Sequence, residues 1–242
     1  MADVVPTPIV EDGPHTMAGL LKPLRGIGWK PGAVIDIGVE MGTPGLYTTW
    51  PDAQICLIEP SPEAAAHMAE IAAAYPNVQV FNVGASNKTG EIKARHHPSM
   101  LNIYLGTGKN SWPETAIPVR TCDDIVAEAR LTPPFVYKLD TDSHELEILE
   151  GSAKTLEQTE LCIIELNLYY GLKDMATPAD IWKVMTDKGF VLFGAGSSNF
   201  ADSGLMKGMD VAFARKDGEL FRLASQNLGK RANLAYPQHT RL

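Results

Sequence analysis

The sequence predicts an α/β protein built on a mostly parallel, doubly wound sheet with helices on both of its faces. Short runs that are apolar throughout recur along the chain, as at 33–38 and 135–140, and such runs are typical of strands buried on both faces. Helical patterns separate these runs, which indicates parallel strands joined by crossover helices. Ligands of such sheets bind beyond the carboxyl ends of the strands, so the residues that follow each strand form the candidate site.

For the first part of the chain, up to residue 85, the sequence predicts a flexible arm, two helices and three strands. Residues 1–14 contain three prolines and no apolar period, so we expect a flexible N-terminal arm. A helix follows over 15–24, which Pro23 would end or kink. Ser61 can cap a second helix and Pro62 can occupy its first position, so this helix is expected to begin there. The three strands are predicted at 33–38, 54–59 and 78–85.

The second part of the chain continues the alternation. Weaker strand patterns at 91–96 and 117–121 flank a stretch rich in Gly and Ser. We expect residues 15–218 to form one domain and residues 219–242 to be a tail packed on its surface. The remaining helices are predicted at 121–129, 142–158 and 177–188, and the remaining strands at 135–140, 161–167, 190–194 and 209–215.

Composition and charge exclude several classes of partner. The 242 residues include 29 acidic and 21 basic side chains, a net charge of -8, which argues against a nucleic-acid binder or docking on an anionic membrane. No apolar stretch reaches the ~18–20 residues of a membrane span, and no signal peptide is recognisable. Three cysteines without a close pair predict neither a disulfide framework nor a cysteine-rich zinc site. We therefore expect a cytoplasmic protein.

A glycine-rich turn after the first strand suggests a nucleoside ligand. Gly38 and Gly42 let the backbone turn sharply, but their spacing is not that of a dinucleotide fingerprint, and Glu40 would repel a pyrophosphate. The second strand ends in Glu59, 23 residues beyond Asp36, where a carboxylate can accept both hydroxyls of a ribose. The pattern favours an adenosine-containing ligand without a phosphate, and S-adenosylmethionine is the natural candidate.

Four segments in order resemble the FkbM-type family of S-adenosylmethionine-dependent methyltransferases. They are VIDIGVEMG at 34–42, LIEPSP at 57–62, FNVGASNKTG at 81–90 and YKLDTDSHELEILEGS at 137–152. Weaker matches are TCDDI at 121–125, CIIELN at 162–167 and MDVAFARKDG at 209–218. The resemblance implies a Rossmann-like class I methyltransferase fold whose last strand runs antiparallel.

The resemblance also implies which residues bind the cofactor. Asp36, Gly38 and Gly42 would surround its methionine end, and Asp140 would face the methionine moiety or the acceptor. The family commonly has Ala-Asn where this chain has Val39-Glu40, so Glu40 would either pair with the ammonium group of the cofactor or point away.

The remaining cofactor contacts would lie at the ends of the second and third strands. Glu59 would hold the ribose hydroxyls. The residues beside it would be Pro60 and Ser61, and those along the adenine would be Val83, Gly84 and Ala85.

His144 is a candidate general base. The family commonly has Glu-Gly-Ala-Glu where this chain has Asp142-Ser143-His144-Glu145. Methyl transfer to a hydroxyl requires removal of a proton, and a histidine with a pKa near 6.5 suits that task. The alternative is that Asp142 and Glu145 form a capping box and leave His144 exposed and inert.

Other polar and aromatic residues are candidates for the acceptor site. Glu165 and Asn167 could bind an acceptor hydroxyl or, as a less favoured alternative, join Asp140 and His144 around magnesium or manganese. His96-His97 is interpreted as a surface pair rather than a metal site. The long loop over 99–112 is a candidate lid. Its candidate acceptor contacts are Tyr104, Lys109 and Trp112, together with Tyr169 and Tyr170 after the fifth strand.

These observations favour one function over two alternatives. The first choice is an S-adenosylmethionine-dependent methyltransferase that methylates a hydroxyl of a small-molecule or sugar-like acceptor, with His144, Asp140 and Glu165 as catalytic candidates. One alternative is a nicotinamide-dependent oxidoreductase on a similar sheet. The other is a non-catalytic relative that retains the cofactor pocket. The sequence does not indicate an oligomeric state.

Overall fold

The computed structural model describes residues 16–96, 103–105, 113–141, 144–168 and 176–231. The strands are β1 Ala33–Ile37, β2 Gln54–Ile58, β3 Val78–Phe81, β4 Gly84–Ala85, β5 Gly90–His96, β6 Ile103–Leu105, β7 Glu114–Arg120, β8 Phe135–Leu139, β9 Thr159–Asn167, β10 Phe190–Phe200 and β11 Met206–Arg215. The helices are α1 Met17–Gly26, α2 Pro44–Thr49, α3 Ala65–Ala74, α4 Cys122–Ala129, α5 Glu145–Glu150, α6 Ala153–Glu157, α7 Pro178–Asp187 and α8 Glu219–Arg231.

A seven-stranded sheet in the order β10-β11-β9-β8-β1-β2-β3 forms the centre of the molecule. Strands β3, β2, β1, β8 and β9 are mutually parallel, whereas β11 is antiparallel to both of its neighbours, β9 and β10. The sequence-based prediction of a mostly parallel α/β sheet with an antiparallel last strand is therefore confirmed. The strand order reverses at β1 and β8, which creates a crevice at their carboxyl ends.

The central strands are almost entirely apolar because both of their faces are covered. Every residue of β1 and of β8 is buried. Ile35 packs in one hydrophobic cluster and its neighbour Val34 in another, so alternate side chains enter the cores on opposite faces of the sheet. Asp36 and Lys138 are the exceptions in this apolar setting, and they are register partners on neighbouring strands.

A second, four-stranded sheet has the order β4-β7-β5-β6. The predicted strand at 78–85 is wrong as one element, because β3 belongs to the large sheet and β4 to the small one. The weak strand patterns at 91–96 and 117–121 are confirmed as β5 and β7. β4 is short, but it connects the small sheet to the crevice of the large one.

Two predicted helix starts are wrong. The helix expected from Ser61-Pro62 begins at Ala65, because Ser61 donates its N–H to Glu59 Oε1 and its hydroxyl to Glu63. The capping box of Asp142 is not the start of α5, whose N-cap is His144 without a side-chain cap bond. Asp142 itself lies outside the described residues.

The helix predicted over 142–158 is interrupted. Gly151 separates α5 from α6 and lies so close to the chain after β4 that a Cβ on it would be 2.0 Å from the Ser86 carbonyl oxygen. By contrast, α7 begins as predicted, with Thr177 and Asp180 forming a full capping box.

Three further elements differ from the expected pattern. α1 runs through Pro23 to Gly26, α2 was not predicted, and β10 extends to Phe200 instead of ending at 194. Within the predicted tail, 219–231 form α8, whose Leu220 is buried against the sheet. The predicted arm over 1–14 lies outside the described residues. No helix in the described part of the chain is long and apolar enough to span a membrane.

Candidate functional site

A cavity of about 390 Å³ opens at the carboxyl ends of the central strands. It lies where the strand order reverses, as the fold class predicts. Four of its lining side chains are carboxylates, Glu40, Glu59, Asp140 and Glu165, and one is a cation, Lys138. The other lining residues are Ile37, Gly38, Val39, Met41, Gly42, Thr43, Ile58, Pro60, Gly84, Ala85, Thr141, Ile148, Asn167 and Asn199.

The turn after β1 forms one wall of the cavity and requires glycine. Gly38 has φ +78°, and a Cβ on it would lie 1.7 Å from the carbonyl oxygen of Asp140. Its N–H donates to the Ile58 carbonyl, while Asp140 N–H donates to the Ile37 carbonyl. The turn therefore passes tightly between β2 and β8 and holds the ends of three strands in one place.

Glu59 is a buried carboxylate held by backbone donors. Only 7% of the residue is exposed. Its Oε1 accepts the N–H of Ser61 at 2.8 Å, and its Oε2 accepts the N–H of Glu40 at 3.4 Å. Burial raises the pKa of Glu59, although these two N–H donors and the nearby Lys138 act in the opposite direction. Each oxygen keeps acceptor capacity for a ligand in the cavity.

Asp36 lies beneath the cavity rather than in its lining. It is fully buried, accepts a hydrogen bond from the Tyr47 hydroxyl and forms an ion pair with Lys138 at 3.2 Å. Tyr47 O in turn accepts the N–H of Thr43 at 3.1 Å. Burial and the adjacent Asp36 raise the pKa of Tyr47 well above its usual value. Asp36 can thus influence a ligand only through the groups that it holds.

Lys138 is a site residue that the sequence reasoning missed. Its Nζ lies 3.2 Å from Asp36 Oδ1, 3.1 Å from Asp140 Oδ2 and 3.2 Å from the Gly38 carbonyl oxygen. Burial by itself would lower the pKa of this lysine, but the two carboxylates outweigh it and raise the pKa above the usual value. The available signal was a lysine inside an otherwise apolar strand, two residues before Asp140.

Polar side chains gather at the β9 end of the cavity. Glu165 Oε1 accepts a hydrogen bond from Asn199 Nδ2 at 2.9 Å. Asn167 Nδ2 is buried and has no hydrogen-bond partner among the described residues. Near them, burial and Asp140 raise the pKa of Asp210. Asn199 was not predicted as a site residue because β10 was expected to end before it.

His144 lies outside the residues that line the cavity. Its Nε2 is 3.0 Å from Ser86 Oγ, and its Nδ1 is 3.6 Å from Glu147 Oε2. Its side chain is 13% exposed. Burial lowers the pKa of His144, Lys88 acts in the same direction and Glu147 in the opposite one. The ring is therefore oriented by Ser86 and Glu147, and its role as a general base stays a prediction.

The structure separates the other predicted residues into three groups. Pro60, Gly84 and Ala85 line the cavity, while Ser61 and Val83 do not; Ser61 contacts Glu59 instead, and Val83 packs against the hydrophobic core. The sequence analysis also named residues whose side chains are not among those described, namely the surface pair His96 and His97, the candidate acceptor contacts Tyr104, Lys109, Trp112, Tyr169 and Tyr170, and Ser143. Within the described ranges, no group of three or more His, Cys, Asp or Glu side chains is arranged to hold a metal ion.

Comparisons with known proteins match the chain to methyltransferases. Residues 46–192 match the family described as the Methyltransferase FkbM domain. The chain is 26% identical over 167 residues to the hexuronic acid methyltransferase AglP of Haloferax volcanii, a match that covers 65% of this chain and 68% of that protein.

Solved structures that resemble the chain include two methyltransferases. One is precorrin-6y C5,15-methyltransferase from Geobacter metallireducens, with 10% identity, a TM-score of 0.47, and coverage of 82% of this chain and 86% of the other. The second is magnesium protoporphyrin IX methyltransferase from Synechocystis, with 14% identity, a TM-score of 0.46, and coverage of 82% and 77%.

The family match extends over more than half of the chain; it begins within α2 and includes β2 and β8 with the residues after each of them. Together with the strand order of the large sheet, it confirms the predicted Rossmann-like class I methyltransferase fold. The chain belongs to the FkbM family of methyltransferases.

Proposed function

We propose that this protein transfers a methyl group from S-adenosylmethionine to an oxygen of a small, sugar-like acceptor. The observation that carries the proposal is the buried Glu59 carboxylate, held by two backbone N–H donors at the edge of an acidic cavity. When bound, S-adenosylmethionine supplies a methyl group already activated by its cationic sulfonium. The protein then has to bind, orient and desolvate the reactants and accept a proton. We assign this activity to residues 15–218.

The cavity has the groups that this cofactor requires. Glu59 offers two fixed acceptor oxygens for the ribose hydroxyls. Gly38, which has no room for a Cβ, allows a ligand to approach the backbone of the turn closely. We place the adenine along Gly84 and Ala85, beside Pro60, and the methionine end near Asp140.

The charge of the lining supports a cationic ligand over a phosphate. Glu40, Glu59, Asp140 and Glu165 supply four carboxylates, whereas Lys138 is buried and already paired with Asp36 and Asp140. A pyrophosphate would be repelled by this lining, and the β1 turn lacks the dinucleotide spacing. These features count against a nicotinamide-dependent oxidoreductase.

The β9 end of the cavity is suited to an acceptor with several hydroxyls. Glu165, fixed by Asn199, can accept hydrogen bonds from hydroxyl groups, and Asn167 can both donate and accept. The similarity to a hexuronic acid methyltransferase supports a sugar-like acceptor. We propose that Asp140 or Glu165 takes the acceptor proton, and we retain His144 as the alternative base, which would have to turn away from Ser86.

Calorimetric titration and a methyl-transfer assay test the proposal. S-adenosylmethionine and S-adenosylhomocysteine should bind, whereas NAD should not bind at concentrations that saturate the first two. Transfer of a labelled methyl group should then appear with one or more members of a panel of sugars, sugar acids, phenols and amines. NAD binding without S-adenosylmethionine binding would overturn the proposal. Cofactor binding without transfer to any acceptor would favour a non-catalytic relative.

A further inference from the structure

The buried lysine on the central strand β8 is unusual for its place in the fold. Lys138 is only 4% exposed and sits in a strand where the other four residues are fully buried hydrophobics. Removing an ammonium group from water is costly unless its N–H groups are all matched by acceptors. Here three oxygens lie within 3.2 Å of the Lys138 Nζ: Asp36 Oδ1 and Asp140 Oδ2, which form ion pairs with it, and the Gly38 carbonyl oxygen, which accepts a hydrogen bond.

Stability alone does not explain this arrangement. A buried ion pair is often no more stabilising than a well-packed pair of apolar residues of similar size. What distinguishes Lys138 is the position of its partners. Asp36 lies under the cavity and is anchored to the Tyr47 hydroxyl, whereas Asp140 and Gly38 both line the cavity. Lys138 therefore links the buried Asp36, which is held in place by Tyr47, to two acceptors at the cavity surface, the Asp140 carboxylate and the Gly38 carbonyl.

We propose that Lys138 is a positioning residue that holds the Asp140 carboxylate and the Gly38 carbonyl in place to receive the charged methionine end of the cofactor. The inference rests on the proposed function, since it concerns the same cavity. The Asp140 side chain is 40% exposed, so without its contact to Lys138 it would be free to adopt other rotamers in solvent. Asp36 is the buried counter-charge that offsets the free-energy cost of burying the Lys138 ammonium group.

A double variant that leaves the net charge of the cluster unchanged separates an effect of Lys138 on ligand affinity from its effect on protein stability. Lys138→Met leaves Asp36 as an unpaired buried charge and should lower stability markedly. The double variant Asp36→Asn with Lys138→Met removes both buried charges and keeps the summed charge of Asp36, Lys138 and Asp140 at -1. Any loss of affinity in the double variant then reports the lost positioning of Asp140 and Gly38 rather than a changed net charge.

The experiment compares thermal unfolding with calorimetric titration of S-adenosylhomocysteine. Lys183→Met is the matched control, because Lys183 is exposed on α7, pairs with Asp187 one turn along the same helix and does not line the cavity. We expect the control to bind like the wild type. The double variant should recover at least half of the Tm lost by Lys138→Met, while its affinity stays weaker than wild type by about tenfold or more.

Each other outcome overturns the inference. If affinity returns to the wild-type value together with stability, Lys138 has only a structural role. Asp140→Asn gives a second test that does not depend on the stability of the buried variants, since its side chain is partly exposed. Unchanged S-adenosylhomocysteine affinity in Asp140→Asn would refute the positioning role. A wild-type protein that binds neither S-adenosylhomocysteine nor S-adenosylmethionine would refute the proposed function as well.

Discussion

Gly38→Ala should be far more damaging than a glycine replacement of the same backbone conformation elsewhere. Two glycines, Gly38 and Gly28, have almost the same positive φ, +78° and +82°. A Cβ at Gly28, just after α1, would meet no atom within 4 Å, whereas one at Gly38 would lie 1.7 Å from the Asp140 carbonyl oxygen. The pair therefore separates the cost of backbone conformation from the cost of a steric clash.

The structure sets the size of each effect. Placing a non-glycine residue in the left-handed region costs about 1–2 kcal/mol, which is the whole effect expected for Gly28→Ala. At Gly38 the strands would also have to separate by more than about 1 Å, since real Cβ atoms essentially never approach closer than 3.0 Å. Such overpacking adds roughly 1–3 kcal/mol. Gly38→Ala should thus lose about 2–5 kcal/mol.

Thermal and urea unfolding of the two variants measure the difference. In a chain of this length 1 kcal/mol corresponds to about 2–4 °C in Tm, so Gly28→Ala should lose roughly 2–8 °C and Gly38→Ala clearly more. Because the clash falls on Asp140, Gly38→Ala should also weaken S-adenosylhomocysteine binding, while Gly28→Ala should not. Equal losses of stability in the two variants would refute the close approach of β1 and β8.

Three further substitutions test the site. Glu59→Gln should weaken S-adenosylhomocysteine binding by about 10- to 100-fold in calorimetry without lowering the stability of the fold. Because burial raises the pKa of Glu59, the wild type should lose stability as the pH rises from the usual pKa of 4.5 through the raised pKa of the folded state. The variant should lack this dependence of stability on pH. Glu40→Asn should raise Tm slightly, because Glu40 has φ +49° and asparagine adopts that region more readily; a lower Tm would contradict this. His144→Ala should lower kcat by less than tenfold, because the ring contacts Ser86 and Glu147 and does not line the cavity. If kcat instead falls 100-fold or more and the decrease in rate at low pH disappears, His144 is the general base.

The sheet was predictable because its strands are buried on both faces. Continuous apolar runs identify β1, β2, β8 and β9 from local sequence alone, and the alternation with helices then determines the fold class. Helix starts were less predictable where a tertiary contact overrides a capping signal. Ser61 has the properties of an N-cap, but its N–H binds the buried Glu59 carboxylate, so α3 begins later.

The site shows the same division between local and long-range information. The glycine turn and Glu59 form a pattern within one short segment, and both line the cavity as expected. The role of Lys138 depends on the register of β8 against β1, which places it beside Asp36, and single-sequence reasoning does not provide that register. The role of Asn199 depends on how far β10 continues past residue 194, and its pairing with β11 decides that length.

Part of the surplus of acidic residues in the chain is concentrated at the cavity. Of the acidic residues that the sequence analysis singled out, Glu40, Glu59, Asp140 and Glu165 line the cavity, and Asp36 lies beneath it; Asp142 is outside the described residues. Lys138 neutralises only part of this charge, and because it is buried and already paired with Asp36 and Asp140 it offers little to an anionic ligand. A cation that enters the cavity loses bound water but gains favourable interactions with the fixed carboxylates. A phosphate would also lose bound water, and the same carboxylates would repel it. The same acidic lining that repels a dinucleotide therefore favours a ligand carrying a positive charge.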